Sequence, residues 1–424
     1  MPLLNYVESI GPFPARGRLS HTWLTVTLGL ANLEEDNVMG PPMPGRAESE
    51  GRAFSYSSLP SGDPTDPVAA TSSIRRPFGW TRWDTAEFGN GRLVAFISAL
   101  LAGAVVTNLI WLPFSTVYLN RSIWFDVAMA MPMALLWVLL GTMRLQLRKT
   151  PFGYRDMLSE FAGRIQALAM ALTVITLFCL VLLLVTYLAA ATSRPLLDSY
   201  LAAGDASLGF DWVAYVTLLN DYPSIDHVLS MAYNSLSVQL LLLPAILALT
   251  ARSDRLEEFV AHYGVAGCLM CLVTMAVPAA GAFEFYHPSP DILSSFDPGA
   301  STRHLGQLHA LRTLKPFLLE HPEGLVSFPS FHSTLAVIFA YSMRGIRYIS
   351  LPVYVLNAML VLATFPEGGH YLVDVLAGLA VAAVAIQFVR WIAKGWPSLQ
   401  PNSDVAQRSP GRQLDRGTQG TRAH

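Results

Sequence analysis

Two histidines and an aspartate stand where apolar segments meet polar ones. His332 lies in "FPSFHSTLAVIFAY", and His370 lies in "ATFPEGGHYLVDVLAG", four residues before Asp374. Ionisable groups at or inside a bilayer are expensive to place and tend to serve a function. At positions i and i+4 of a helix, His370 and Asp374 share one face. A carboxylate so placed accepts a hydrogen bond from one ring nitrogen and fixes the tautomer, which leaves the other nitrogen as a base or nucleophile. Gly368 and Gly369 permit close backbone approach just before it. In the other stretch, Pro329 sets a turn, Ser330 has the side chain of a helix cap, and His332 falls in the first helical turn. First-turn N–H groups and the helix dipole favour an anion there. A protonated His332 can give a proton to a leaving oxygen. Each stretch alone also reads as an ordinary helix start with an interfacial histidine. On one membrane face they form an acid–base set suited to an anion.

Apolar helices must position these groups. The chain is 52% hydrophobic and only 14% charged, against about 25% charged residues in average soluble proteins. Its near-neutral net charge of −2 provides no bulk field to recruit nucleic acid. We expect an all-α, multi-pass transmembrane bundle of about eight spans, each near the length a bilayer requires. The expected spans are 93–114, 123–143, 165–191, 227–250, 259–283, 331–349, 350–366 and 372–393. "LGFDWVAYVTLLN", between the third and fourth, suits a helix lying in the membrane interface. Residues 1–90, rich in Pro, Gly and Ser, and residues 396–424 read as disordered cytoplasmic tails. Residues 91–160 read as two additional helices with a cytoplasmic loop, and 161–395 as the membrane core. Lys and Arg gather in alternate connections, including Arg144, Arg148, Lys149, Arg252, Arg255, Arg344 and Arg347. This bias predicts cytoplasmic termini and an exoplasmic site in the cell membrane. Cys268 and Cys271 form a lone C-x-x-C in an apolar run and read as packing residues.

"PSFHSTLAV" followed by "GGHYLVDVLAG" resembles the type 2 phosphatidic acid phosphatase superfamily, the integral-membrane lipid phosphate phosphatases. More closely, it resembles the branch of inositol phosphorylceramide and sphingomyelin synthases. The detailed likeness covers about residues 325–380, within a six-helix core. It implies that His370 is the nucleophile taking the phosphoryl group, Asp374 its orienting partner, His332 the acid for the leaving group and Ser330 a phosphate holder. It further implies that no metal or cofactor takes part and that the substrate is a lipid in the bilayer.

The sequence departs from that pattern where phosphate should be clamped. The Ser-Arg pair preceding the nucleophile is replaced by Ala363 and Thr364, the threonine being similar to the inositol phosphorylceramide synthase branch. Arg194-Pro195 matches part of the first motif, but its lysine position holds Tyr187. Arg194 is therefore a candidate clamp. "TRHLGQLHALRTLKPF" supplies others in Arg303, His304, His309, Arg312 and Lys315, because a guanidinium binds phosphate bidentately; Arg312 is preferred. Phosphatase and phosphotransferase chemistry share the first half-reaction. A transporter using Asn108, Asn234 and Gln239, or a metal site on His332, His370 and Asp374, are the rival classes.

Overall fold

The computed structural model describes residues 91–394 apart from 124–127, 129, 148, 150–152 and 294–297. The expected tails at 1–90 and 396–424 lie outside the described residues. The architecture is an all-α membrane helical bundle. Among the described residues, five helices are long and apolar enough to cross a bilayer: α1 (Gly91–Trp111), α3 (Arg155–Ala190), α6 (Pro223–Leu249), α7 (Ser253–Ala276) and α12 (Leu372–Lys394). Three shorter apolar helices complete the set: α2 (Met131–Leu147), α10 (Phe331–Ser342) and α11 (Ser350–Ala363). These eight fall at the eight positions where apolar runs predict spans. Between them lie α4 (Asp198–Ser207), α5 (Trp212–Asn220), α8 (Ala282–Tyr286) and α9 (Pro298–Arg312).

Helices that are apolar all round bury one stripe against neighbours and turn the rest outward, towards lipid. Phe178, Phe259, Phe339 and Leu247 are fully buried at the centre of the bundle, while Leu109, Ile110, Met231, Leu272, Leu351 and Val384 face outward. α7 approaches α3 through Gly264 and Gly267: added β-carbons there would stand 2.7 Å from Phe178 and 2.4 Å from Leu182. Small residues at such crossings let helices approach closely where no hydrophobic effect drives them together. α1 and α2 pack on α3, and Asn108 Nδ2 donates to the Val181 carbonyl at 2.8 Å.

Two expected spans end early. The run at 331–349 is helical only to Ser342, because the chain turns through Gly345 at φ +67°. At about 1.5 Å per residue α10 is only about 18 Å long, short of a full crossing. The run at 259–283 stops at Ala276, and Gly281 takes φ +107° before α8.

The two ends of the bundle differ. At one, Arg144 Nη1 donates to Gln166, Arg164 to the Leu249 carbonyl, Arg255 to the Arg344 carbonyl, and Arg344 pairs with Glu258 at 2.9 Å. At the other, β1 (Val117–Leu119) pairs in parallel with β2 (Phe317–Leu319), in the register Val117 to Phe317. Asn120 donates to Glu320 beside this pair at 2.7 Å. The loop after α1 is thereby joined to the long connection leading into α10, at the end that holds both histidines.

Candidate active site

His370 lies in the turn before α12 and Asp374 in that helix's first turn. His370 Nδ1 and Asp374 Oδ2 are 3.3 Å apart, and the same oxygen accepts the Tyr371 N–H at 2.9 Å. Asp374 is fully buried and His370 is 3% exposed. The carboxylate thus engages Nδ1 and leaves Nε2 facing away. Gly368 borders that nitrogen: a β-carbon on it would stand 2.7 Å from His370 Cδ2 and 3.2 Å from Nε2. A side chain at this position would crowd Nε2. Gly369, at φ +60°, accepts the Ala282 N–H at 2.8 Å and packs against Phe283.

A second carboxylate braces this turn. Asp198 accepts the N–H groups of Ala280 and Gly281, the latter at 2.9 Å, and the Tyr371 hydroxyl at 3.2 Å. Asp205 accepts from Leu372 and Val373 N–H, both at 2.9 Å, and so caps α12. Burial pushes the Asp205 carboxyl above its usual range, and the two N–H bonds pull it back. The positive end of α12 is therefore occupied by the protein's own carboxylates.

α10 presents the other half. Ser330 is its buried N-cap, with Oγ accepting from Ser333 N–H at 3.3 Å and Ser333 Oγ–H at 3.1 Å. The following N–H groups, of Phe331 and His332, have no intrahelical acceptor by their position in the first turn. The His332 ring stacks on Tyr233 of α6 at 4.3 Å and 15°, within electrostatic reach of His370. Trp212, at the start of the helix expected to lie in the interface, is fully buried, its Nε1 donating to the Phe365 carbonyl at 3.2 Å.

The expected clamps separate into distinct surroundings. Thr364 is buried and its hydroxyl donates to Val361 of its own helix at 2.6 Å. Tyr187, at the lysine position of the first motif, is buried; its hydroxyl contacts Gln307 and accepts the Glu323 N–H at 2.6 Å. It ties α3 to α9. Arg312 Nη1 donates to the Arg194 carbonyl at 2.8 Å, so these two expected clamps meet each other. Lys315 is exposed. His309 pairs with Glu284 at 3.2 Å. His304 bonds the Ala280 carbonyl; burial and the nearby His370 push its imidazole below the usual range, against the pull of that bond. The Arg303 side chain lies outside the described residues. Cys271 is buried with Sγ near the Leu182 carbonyl, a packing role.

Asp198, Asp205 and Tyr233 escaped sequence reasoning. The signal for the carboxylates was "DSYLAAGD", with two aspartates seven apart on one face of a short helix.

Residues 199–388 match the family model of the PAP2 superfamily. The match supports that superfamily. It runs from within α4 into α12 and takes in both histidines, Asp374, Asp205 and Tyr233, but not Asp198, Arg194 or Tyr187. PAP2 superfamily members are generally phosphatases. No curated protein and no solved structure matches the chain.

Proposed function

We propose that the protein is an integral-membrane phosphoryl-transfer enzyme acting on a lipid phosphate or phospholipid headgroup through a phosphohistidine on His370. The observation that carries this reading is the buried His370–Asp374 pair, its Nε2 bordered by a residue without a side chain and His332 within electrostatic reach. Nε2 attacks phosphorus and forms the N–P bond as the P–O bond to the lipid breaks. His332 gives its proton to the departing oxygen and then takes one from the incoming water, whose oxygen displaces the histidine from phosphorus. The α10 first-turn N–H groups, shaped by the Ser330 cap, face the phosphate oxygens. The nucleophile, its orienting carboxylate and the acid are all side chains, and we assign no metal or cofactor to the reaction.

The helices from 161 to 395 form the catalytic core, and those of 91–160 are additions packed on α3. The arginine-rich end is read as cytoplasmic, so both termini are cytoplasmic and the site opens on the exoplasmic face. An alcohol in place of water would make the enzyme a phosphotransferase like the inositol phosphorylceramide synthases. Thr364, the residue that hints at that branch, spends its hydroxyl on its own helix.

The test is turnover of a panel of lipid phosphates and phosphodiesters by the detergent-solubilised chain, counting free phosphate and exchanged headgroup. His370→Ala and His332→Ala should each abolish both. Full turnover by His370→Ala would sink the assignment, and flux into proteoliposomes without turnover would favour a transporter.

A further inference from the structure

Arg194 and Arg312 lie 118 positions apart yet meet across an open cleft between the α3–α4 connection, the end of α7 and α9. Thr186, Thr192 and Thr274 add hydroxyls, and Leu196, Pro278, Ala279, Leu308 and Leu325 form an apolar wall. None of His332, His370, Ser330 or Asp374 lines it. Each guanidinium places Nη1 on a backbone carbonyl, Arg194 on Met275 at 2.9 Å and Arg312 on Arg194 at 2.8 Å. A guanidinium has five N–H donors, so most remain for a ligand. Among the described residues, neither arginine pairs with a carboxylate. Both arginines line the cleft, so it offers an anion two guanidiniums without a carboxylate partner.

The cleft touches the catalytic elements without being part of them. Thr274 Oγ1 donates to the Phe328 carbonyl at 2.8 Å, two residues before the Ser330 cap, and Ala279 precedes Ala280, which Asp198 and His304 hold. A cationic mouth over an apolar wall, at the ends of membrane-length helices, fits a headgroup joined to acyl chains better than a free ion.

We propose that the Arg194–Arg312 cleft is a second subsite, binding the phosphate of an anionic membrane lipid beside the catalytic histidines. This assignment concerns binding and stands whether or not His370 forms a phosphohistidine.

The test uses the full chain in a nonionic detergent, in a His370→Ala background that prevents turnover. Calorimetric titration with dihexanoyl phosphatidic acid, inorganic phosphate and dihexanoyl phosphatidylcholine separates lipid from free anion. Phosphatidic acid should bind more tightly than inorganic phosphate, and phosphatidylcholine should bind weakest. Arg194→Ala with Arg312→Ala should weaken phosphatidic acid by about tenfold or more, and the paired lysine replacements should retain most of it. Thr192→Glu adds a carboxylate at the exposed mouth without removing either arginine–backbone bond, and should also weaken binding should the alanine pair fail to fold. Unchanged affinity in the folded variants would overturn the subsite. Equal affinity for inorganic phosphate and phosphatidic acid would overturn its assignment to a lipid.

Discussion

The Ser330 N–H donates to the Asp374 carbonyl at 3.0 Å. The helix bearing His332 is therefore latched by its cap residue to Asp374, the carboxylate beside His370 Nδ1. The latch requires close approach of α10 and α12, and Gly378 provides it: a β-carbon there would stand 2.4 Å from the Ser330 carbonyl oxygen. Thr334 Oγ1 bonds the Ser330 and Gly378 carbonyls, each at 2.9 Å, across the same crossing. The nearest obstructing atom, the Ser330 carbonyl oxygen, belongs to backbone, so it cannot yield by a rotamer change. Gly378→Ala should cost about 1–3 kcal/mol of stability through overpacking and lower turnover by about tenfold, by moving His332 relative to His370. Thermal melts and lipid-phosphate turnover check both, and wild-type rates would show that the latch does not set the geometry.

Asp374→Asn tests orientation against mere support. The amide keeps the size but removes the negative charge that holds the Nδ1 proton. We expect kcat to fall by about 10²–10⁴, the range for loss of a positioned acid–base function, with KM within a few-fold. Asp205→Ala, which removes only the α12 cap, should cost about 1 kcal/mol of stability and leave kcat much closer to wild type. If both variants lost activity equally, Asp374 would be acting through fold stability.

The difference between these two aspartates also shows what sequence could reveal. His370–Asp374 and the Ser330 cap are local relations, set by an i, i+4 spacing and a residue type before an apolar run, so reading the chain in order exposes them. Asp198 is held by partners 82 and 173 positions away, and Tyr233 reaches His332 from another helix, so no local pattern names them. Apolar runs located the eight helices but not their ends, because apolar residues continue past Ser342 while the backbone turns at Gly345. The clamps were hardest: motif spacing pointed at Thr364, whose hydroxyl bonds its own helix, and Tyr187, whose hydroxyl ties α3 to α9, while Arg194 and Arg312 find each other only through folding.

Tyr233 should matter through its ring and not its hydroxyl. Offset aromatic contacts contribute about 0.5–1.5 kcal/mol beyond area burial, and here the stacking fixes the plane of the His332 ring, the acid of the proposed reaction. Tyr233→Phe should keep near-wild-type kcat, whereas Tyr233→Ala should lower it several-fold, most strongly for substrates with poor leaving groups that need the acid. A Phe variant as impaired as the Ala variant would transfer the role to the hydroxyl.

Tyr371 predicts how the site end responds to alkali. Burial, then the neighbouring Asp198 that accepts its hydroxyl, then Asp374 and Tyr286, hold its phenol well above the ordinary tyrosine range. The unfolded chain releases this proton near pH 10 and the folded chain does not, so the folded state binds more protons above that pH. Stability from this group is complete below pH 10 and falls as pH rises beyond it, by up to about 1.4 kcal/mol per pH unit. Tyr371→Phe should be less stable at neutral pH, because Asp198 loses a donor, yet its melting temperature should fall less steeply between pH 10 and 11. Tyr215 and Tyr286, also raised by burial, leave a residual slope in the variant. Parallel melting curves for the two proteins across that interval would mean that Tyr371 ionises as freely in the folded chain as in the unfolded one, and that Asp198 does not brace the His370 turn through it.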